Sequence, residues 1–189
     1  MAEPNPMQSP ESLRRLCPPD AGQYRDVMIE AYGLHPDAFT SSVSERAVLP
    51  LTRWEARLQQ TPAAGEVFFG AWDEEALVGV VGLAFEAREK VRHKATLIGM
   101  YVKRAYRITG LGGQLVSMAL QFLGGRPEVT VIQLTVTEGN TAAQALYERF
   151  GFVSFGTEPM AVAVAGRYVS NVHMWRPLEP QKLSSHDGG

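Results

Sequence analysis

The chain has 189 residues, 45% of them apolar and 20% charged, with a formal net charge of −2. That is one ordinary globular domain with a real core, too short for two full-sized ones, and it lacks the basic excess of a nucleic-acid binder. A single cysteine, Cys17, excludes an internal disulfide and a cysteine-based zinc site, and no apolar run approaches the roughly 18 residues of a membrane helix. The start, MAEPNPMQSPESLRR, has neither the basic flank nor the apolar stretch of a secretory signal. The expected setting is a reducing cytoplasm, without nucleic-acid or membrane partners.

Residues 1–11 and 180–189 read as polar tails and 12–179 as one domain. A short strand is expected over 12–17, then a helix capped by Asp20 and running to about Leu34. A looser stretch, HPDAFTSSVSERAVLP, precedes a second helix near 51–60 that stops at Thr61-Pro62. Strands at 67–72 and 77–86 flank the turn-like DEEA and read as a hairpin, and a third at 96–102 follows AREKVRHK. Leu111, Leu115, Met118, Ala119 and Phe122 share one helical face, with a stop at Gly124-Gly125. Residues 129–136 have the composition of a buried strand, and Thr141 to Gln144 has capping-box spacing for a helix through Phe150. Strands at 153–165 and 168–175 close the chain, which makes the fold class mixed α/β (α+β).

Two stretches carry chemistry. The first is YRITGLGGQLV, 106–116, where a strand gives way to a helix through three glycines. Backbone N–H groups and the helix dipole together bind anions in that context. A phosphate loop of the Walker type needs Lys and Ser or Thr after its last glycine, but Gln114 and Leu115 follow Gly113. A dinucleotide GxGxxG counted from Gly110 needs glycine at Leu115. What remains is Arg-x-x-Gly-x-Gly, met by Arg107, Gly110 and Gly112, or a helix start that needs glycine only for tight packing. The second stretch is LTVTEGNTAAQALYERFGF, 134–152, with Asn140, Ala143, Leu146, Tyr147, Gly151 and Phe152 in fixed order.

Together, in this order and one helix and one strand apart, the two stretches resemble the signature of the GNAT acetyltransferases. The resemblance is firm over 77–152 and weaker beyond. It implies a mixed central sheet of about six to seven strands with splayed middle strands, flanked by about four helices. It implies acetyl-CoA as cosubstrate and no metal. The backbone of Met100, Tyr101 and Val102 would pair with the pantetheine amides. The N–H groups of Arg107, Ile108, Thr109, Gly110, Leu111, Gly112 and Gly113 would surround the pyrophosphate, and Asn140 and Ala143 would lie along the pantetheine arm. Relatives often carry Arg-Gly at the loop start. Ile108 stands here instead and cannot take positive φ comfortably, so that position is extended or the loop is locally reshaped.

The reaction implied is attack of a neutral amine on the thioester, with Tyr147 donating to the departing sulfur and a backbone N–H near Met100–Tyr101 meeting the oxyanion. A base is harder to find. Some relatives have a glutamate where Thr135 stands, and Ile98, Gly99 and Met100 supply no carboxylate. Glu86 has the best claim, since it ends a strand beside the one before the loop, ahead of Glu138, His93 and His173. The segments expected to shape the acceptor site, 20–60 and 159–175, hold no dense acidic cluster. The expected acceptor is therefore a small amine, an amino acid or a peptide N-terminus rather than a polycation. A non-catalytic acyl-CoA-binding module and a nucleotide-binding protein are the competing classes, and the last strand's edge is the expected surface for a homodimer.

Overall fold

The computed structural model describes residues 12–61 and 64–178; the expected tails, 1–11 and 180–189, lie outside the described residues. The apolar runs EVFFGAWD and ALVGVVGLAF form strands β2 (Glu66–Asp73) and β3 (Ala76–Phe85), each buried over nearly its whole length. Strands apolar on both faces need cover on both faces, and the chain provides it. On one side lie α1 (Ala21–Leu34) and α3 (Leu51–Arg57), packed on a core of Leu16, Tyr24, Met28, Trp54, Phe68 and Tyr101. On the other lie α4 (Leu111–Gly124) and α5 (Thr141–Arg149), over Phe69, Val81, Leu97, Leu115, Ile132 and Tyr147.

The sheet is completed by β1 (Ser12–Arg15), β4 (Lys94–Val102), β5 (Val131–Thr137), β6 (Val153–Val164) and β7 (Arg167–Pro177). Its seven strands run in the order β1-β2-β3-β4-β5-β7-β6. Every neighbouring pair is antiparallel except β4 and β5. That parallel pair is joined by α4, as a parallel connection needs a crossover. β6 and β7 form a long hairpin closed by Ala165 and Gly166, both at positive φ (48° and 77°), the conformation of a tight primed turn.

Several expectations change at their edges. A fifth helix, α2 (Val43–Ala47), occupies the stretch read as loose. Ser42 Oγ accepts from the Glu45 N–H at 3.2 Å, and the Glu45 carboxylate accepts from the Ser42 N–H at 2.8 Å. This capping box is spelled out in SVSE, but the helix it opens lasts only five residues and shows no periodicity. α3 stops at Arg57, short of Gln60, with the Leu58 N–H turned back to Glu55. Asp20 stands at the N-cap of α1 without capping it. Its carboxylate instead takes both Arg14 nitrogens (2.7 and 2.8 Å) and the Cys17 N–H (2.9 Å), which holds its pKa down at about 2. Among the described residues no helix is long and apolar enough to cross a membrane, and no cluster of side chains is placed to hold a metal.

Gly82 faces the Phe68 ring so closely that an added methyl group would land on it. Gly82→Ala is expected to cost about 1–3 kcal/mol of stability through overpacking. Its denaturation midpoint against wild type checks this.

Candidate active site

β4 and β5 pair only at their first residues, Lys94–Val131, Ala95–Ile132 and Thr96–Gln133. Beyond that point they part, and the expected splay lies between 97–102 and 134–137. At the same level β4 is distorted against its other neighbour. Gly82 opposes Ile98 while Val80 opposes Tyr101, so Gly99 and Met100 share a single partner position. This is a β-bulge, and Gly99 has the left-handed φ (59°) that such a bend asks of its first residue. A bulge re-aims backbone groups, which suits a donor meant for a ligand. Its signal in the sequence is a lone glycine inside a strand.

After Val102 the chain makes a 3₁₀ turn, Arg104–Thr109, before Gly110 (φ 81°) opens α4. Ile108 is thus neither extended nor at positive φ; it lies in the 3₁₀ turn with its side chain 89% exposed. Tyr106 anchors the turn through its hydroxyl to Asp73 and its carbonyl to Thr109 Oγ1. The first backbone bond of the helix runs from the Gln114 N–H to the Gly110 carbonyl, so Leu111, Gly112 and Gly113 present N–H groups that have no acceptor inside α4. The glycines differ in purpose. Gly110 is surrounded by open space and is required by its φ, whereas a Cβ at Gly112 would press on Leu146 (3.3 Å) and Met100 (3.4 Å). A conformational need and tight packing therefore coexist, two positions apart.

Arg107 is not a free surface charge. Its Nε donates to the Val102 carbonyl at 3.0 Å, its Nη2 lies 2.7 Å from His35 Nε2, and its guanidinium sits 5.7 Å from the Tyr101 ring centroid. On the other lip of the gap, Asn140 rather than Thr141 caps α5, accepting from the Ala143 N–H at 3.2 Å. The helix delivers Tyr147 into the core beneath α4, only 6% exposed and edge-on to Phe152 at 5.8 Å. Burial alone pushes its pKa far above the ordinary phenol value. The hydroxyl is thus held protonated, as a donor must be.

Glu86 needs correction. It lies just past the end of β3, exposed, with its carboxylate 3.0 Å from Arg88. β3 is antiparallel to β4, so Phe85 opposes Ala95 while the loop begins after Val102, opposite Gly79. That places Glu86 about 20 Å from the loop at 3.3 Å per residue, beside the closed end of the β4–β5 pair. His93 is at that same end, its carbonyl taking the N–H groups of Thr130 and Val131. His173, opposite Thr135 on β7, is tied to Glu158 at 3.1 Å, and the Glu138 backbone pairs with Ser170.

The polar groups that do meet the open end come from α1 and the chain after it. The Tyr101 hydroxyl donates to Glu30 at 2.7 Å; burial first, then this carboxylate, pushes the phenol up to about 12. Thr137, at the end of β5, donates to the Asp37 carbonyl at 2.9 Å and so ties the segment after α1 to the second lip. Beside this tie runs a groove of about 740 Å³, with Tyr32 and Phe39 in edge contact and 40–45 on one wall and 162–165 on the other. No local pattern could have revealed these contacts, which join residues 71 to 100 positions apart.

The geometry agrees with what the chain is similar to. The pattern of the acetyltransferase (GNAT) family matches residues 28–152, more than half of the chain. Among solved structures, an acetyltransferase of the GNAT family from Streptococcus pneumoniae is 22% identical with a TM-score of 0.79, covering 89% of this chain and 99% of that one. A ribosomal-protein-alanine N-acetyltransferase from Brucella melitensis is 23% identical at TM-score 0.77, over 88% and 99%. A phosphinothricin acetyltransferase from Sinorhizobium meliloti, in complex with acetyl-CoA, is 20% identical at TM-score 0.76, over 88% of each chain. At these identities the likeness is one of fold. No curated protein sequence is similar enough to count as a relative.

The Asn140 cap separates two roles. Asn140→Ala is expected to cost about 1 kcal/mol of stability by loss of the cap, while Asn140→Asp keeps the acceptor and the stability. Thermal melts of the two variants check this.

Proposed function

The chain belongs to the acetyltransferase (GNAT) family, and we propose that it moves the acetyl group of acetyl-CoA directly to the primary amine of a small molecule or peptide. The observation that carries this is the coincidence of the opened β4–β5 gap with the glycine loop at its mouth. An arm bearing amides fits a gap whose lips have unspent strand hydrogen-bonding groups, and a diphosphate fits the N–H groups where α4 begins. Met100, Tyr101 and Val102 would hold the arm through their backbone, and 107–113 the diphosphate. Asn140 and Ala143 contribute by starting the helix that places Tyr147.

The catalytic parts follow from charge development. The bulge at Gly99–Met100 aims a backbone N–H where an oxyanion forms when the amine attacks. Tyr147 faces the opposite need, the sulfur as it gains negative charge. A thiol of pKa about 8.5 is a stronger acid than even an ordinary phenol near 10, and burial raises Tyr147 further. Complete proton transfer from Tyr147 is uphill; its part is to stabilise the thiolate by a hydrogen bond. On the acceptor face, Glu30 stands on the Tyr101 hydroxyl and can attract an ammonium group and pass its proton to water. The groove has one lining carboxylate, Glu45, and that one is committed to Ser42. This favours a small amine, amino acid or peptide N-terminus over a polyamine. The Brucella protein is named as an N-acetyltransferase, which supports nitrogen as the acceptor atom.

The partner expected beside the substrates is a second copy. The last strand, β7, is not an edge, because it lies between β5 and β6; the free edge of that hairpin is β6, on which Val153, Phe155 and Met160 are 53–62% exposed. A strand edge of that kind invites pairing. Light scattering at micromolar concentration is expected to give twice the chain mass, and Phe155→Lys to give the monomer; a monomeric wild type excludes the reading.

Acetyl-CoA consumption across a panel of amines, amino acids and short peptides tests the activity itself. Turnover with at least one class is expected. Tight CoA binding with no turnover on any of them would make the chain a binding module, and competition by ATP or NAD a nucleotide binder. With a good acceptor, Tyr147→Phe is expected to lower kcat about 10- to 100-fold, the loss of one hydrogen bond to a charged group. Wild-type turnover in that variant would leave Tyr147 a packing residue.

A further inference from the structure

A side chain far from both sequence motifs reaches Arg107 of the loop. His35 ends α1, its N–H bonded to the Ala31 carbonyl at 2.9 Å, and its ring stands 6.0 Å from that of Tyr101. Its Nε2 is 2.7 Å from Arg107 Nη2. A guanidinium has donors only and stays charged. The contact is therefore a hydrogen bond only if Nε2 offers a lone pair, with the imidazole neutral and its proton on Nδ1. Burial first, then the charge of Arg107, lowers the His35 pKa from its ordinary value; Asp37 pulls weakly the other way.

Arg107, at the head of Arg-x-x-Gly-x-Gly, is thereby clamped to two parts of the fold: the end of α1 through His35 and the last residue of β4 through Val102. Its neighbour Ile108 is almost fully exposed and anchors nothing. Two side chains consequently tie the turn Arg104–Thr109 to the rest of the fold, Tyr106 on Asp73 and Arg107 on His35 and Val102. We infer that neutral His35 is a positioning residue for the diphosphate loop: it fixes Arg107, keeps the backbone cradle preformed, and makes cofactor affinity fall when it takes a proton. This rests on 107–113 being the cradle. The groups facing His35 are Arg107 from the loop, Tyr101 from β4 with Glu30 behind its hydroxyl, and Asp37 from the chain just past α1. Protonation removes the acceptor and sets two cations in contact. Asp37 offsets this only in part. Because the depressed pKa lies below the ordinary 6.5, the bond is intact at neutral pH and is lost as pH falls below that value.

The test is calorimetric titration of the full chain with dephospho-CoA between pH 5 and 8. Dephospho-CoA keeps the diphosphate but lacks the phosphate monoester, whose own second pKa of about 6 would titrate in the same window. Wild type is expected to bind about 3- to 10-fold more weakly at pH 5.5 than at 7.5, the scale of one ordinary net hydrogen bond and the most that a group titrating below 6.5 can lose at that pH. His35→Gln, whose amide oxygen can accept from Arg107 but does not titrate, is expected to match wild type at pH 7.5 and to show no such fall. His35→Ala is expected to bind about five-fold more weakly at every pH. A flat wild-type profile, a His35→Gln profile as steep as wild type, or tighter binding by His35→Ala would each overturn the inference while leaving the cradle standing. Absence of binding by wild type at any pH would reject the cradle and the inference with it. If His35→Ala does not fold, the wild-type and His35→Gln profiles still decide.

Discussion

The site exists because two parallel strands stop holding each other. After Thr96 and Gln133 no ladder bond joins β4 to β5, and a sheet interior that gives up its bonds leaves polar backbone groups that must find other partners. Such a gap survives only if each lip is stiff by itself. β4 is held along β3 as far as Val102, and β5 is paired with β7 at all seven of its positions. β7 lies between β5 and β6, although β6 precedes it in the chain, so the hairpin backs the lip over its full length.

Two cores keep the divided sheet in one piece. One collects the faces of α4 and α5, the other those of α1 and α3. The gap lies between them, and in the proposed reaction the two substrates would approach it from separate sides. The buried Tyr147 belongs to the first core and the Tyr101 phenol, with Glu30 on its hydroxyl, to the second.

Much of this was legible in the residues. Arg107, Gly110 and Gly112 mark the loop, and Asn140 to Tyr147 mark the helix opposite, because each is a local requirement written in adjacent positions. The hairpin and the buried strand at 131–137 were legible for the same reason. Glu86 misled because adjacency of strands was read without direction: in an antiparallel pair the end of one strand lies beside the start of the other. α2 was overlooked because a helix of five residues has a cap but no period. His35–Arg107 and Tyr101–Glu30 join residues 72 and 71 positions apart, and only the completed fold brings them together.

Gly99 has a wider effect than its own bend. Along an undisturbed strand Leu97 and Tyr101 would point to the same face. The extra residue at the bulge advances the alternation by one step, so Leu97, Met100 and Val102 meet the α4 side and Tyr101 the α1 side. A phase shift of a single residue thus chooses which face of the sheet receives the phenol. Were Gly99 to take an ordinary place in the ladder, with no bulge and no residue lost, Tyr101 would turn to the core under α4 and the anchor for Glu30 would go with it, even with every side chain of the site unchanged.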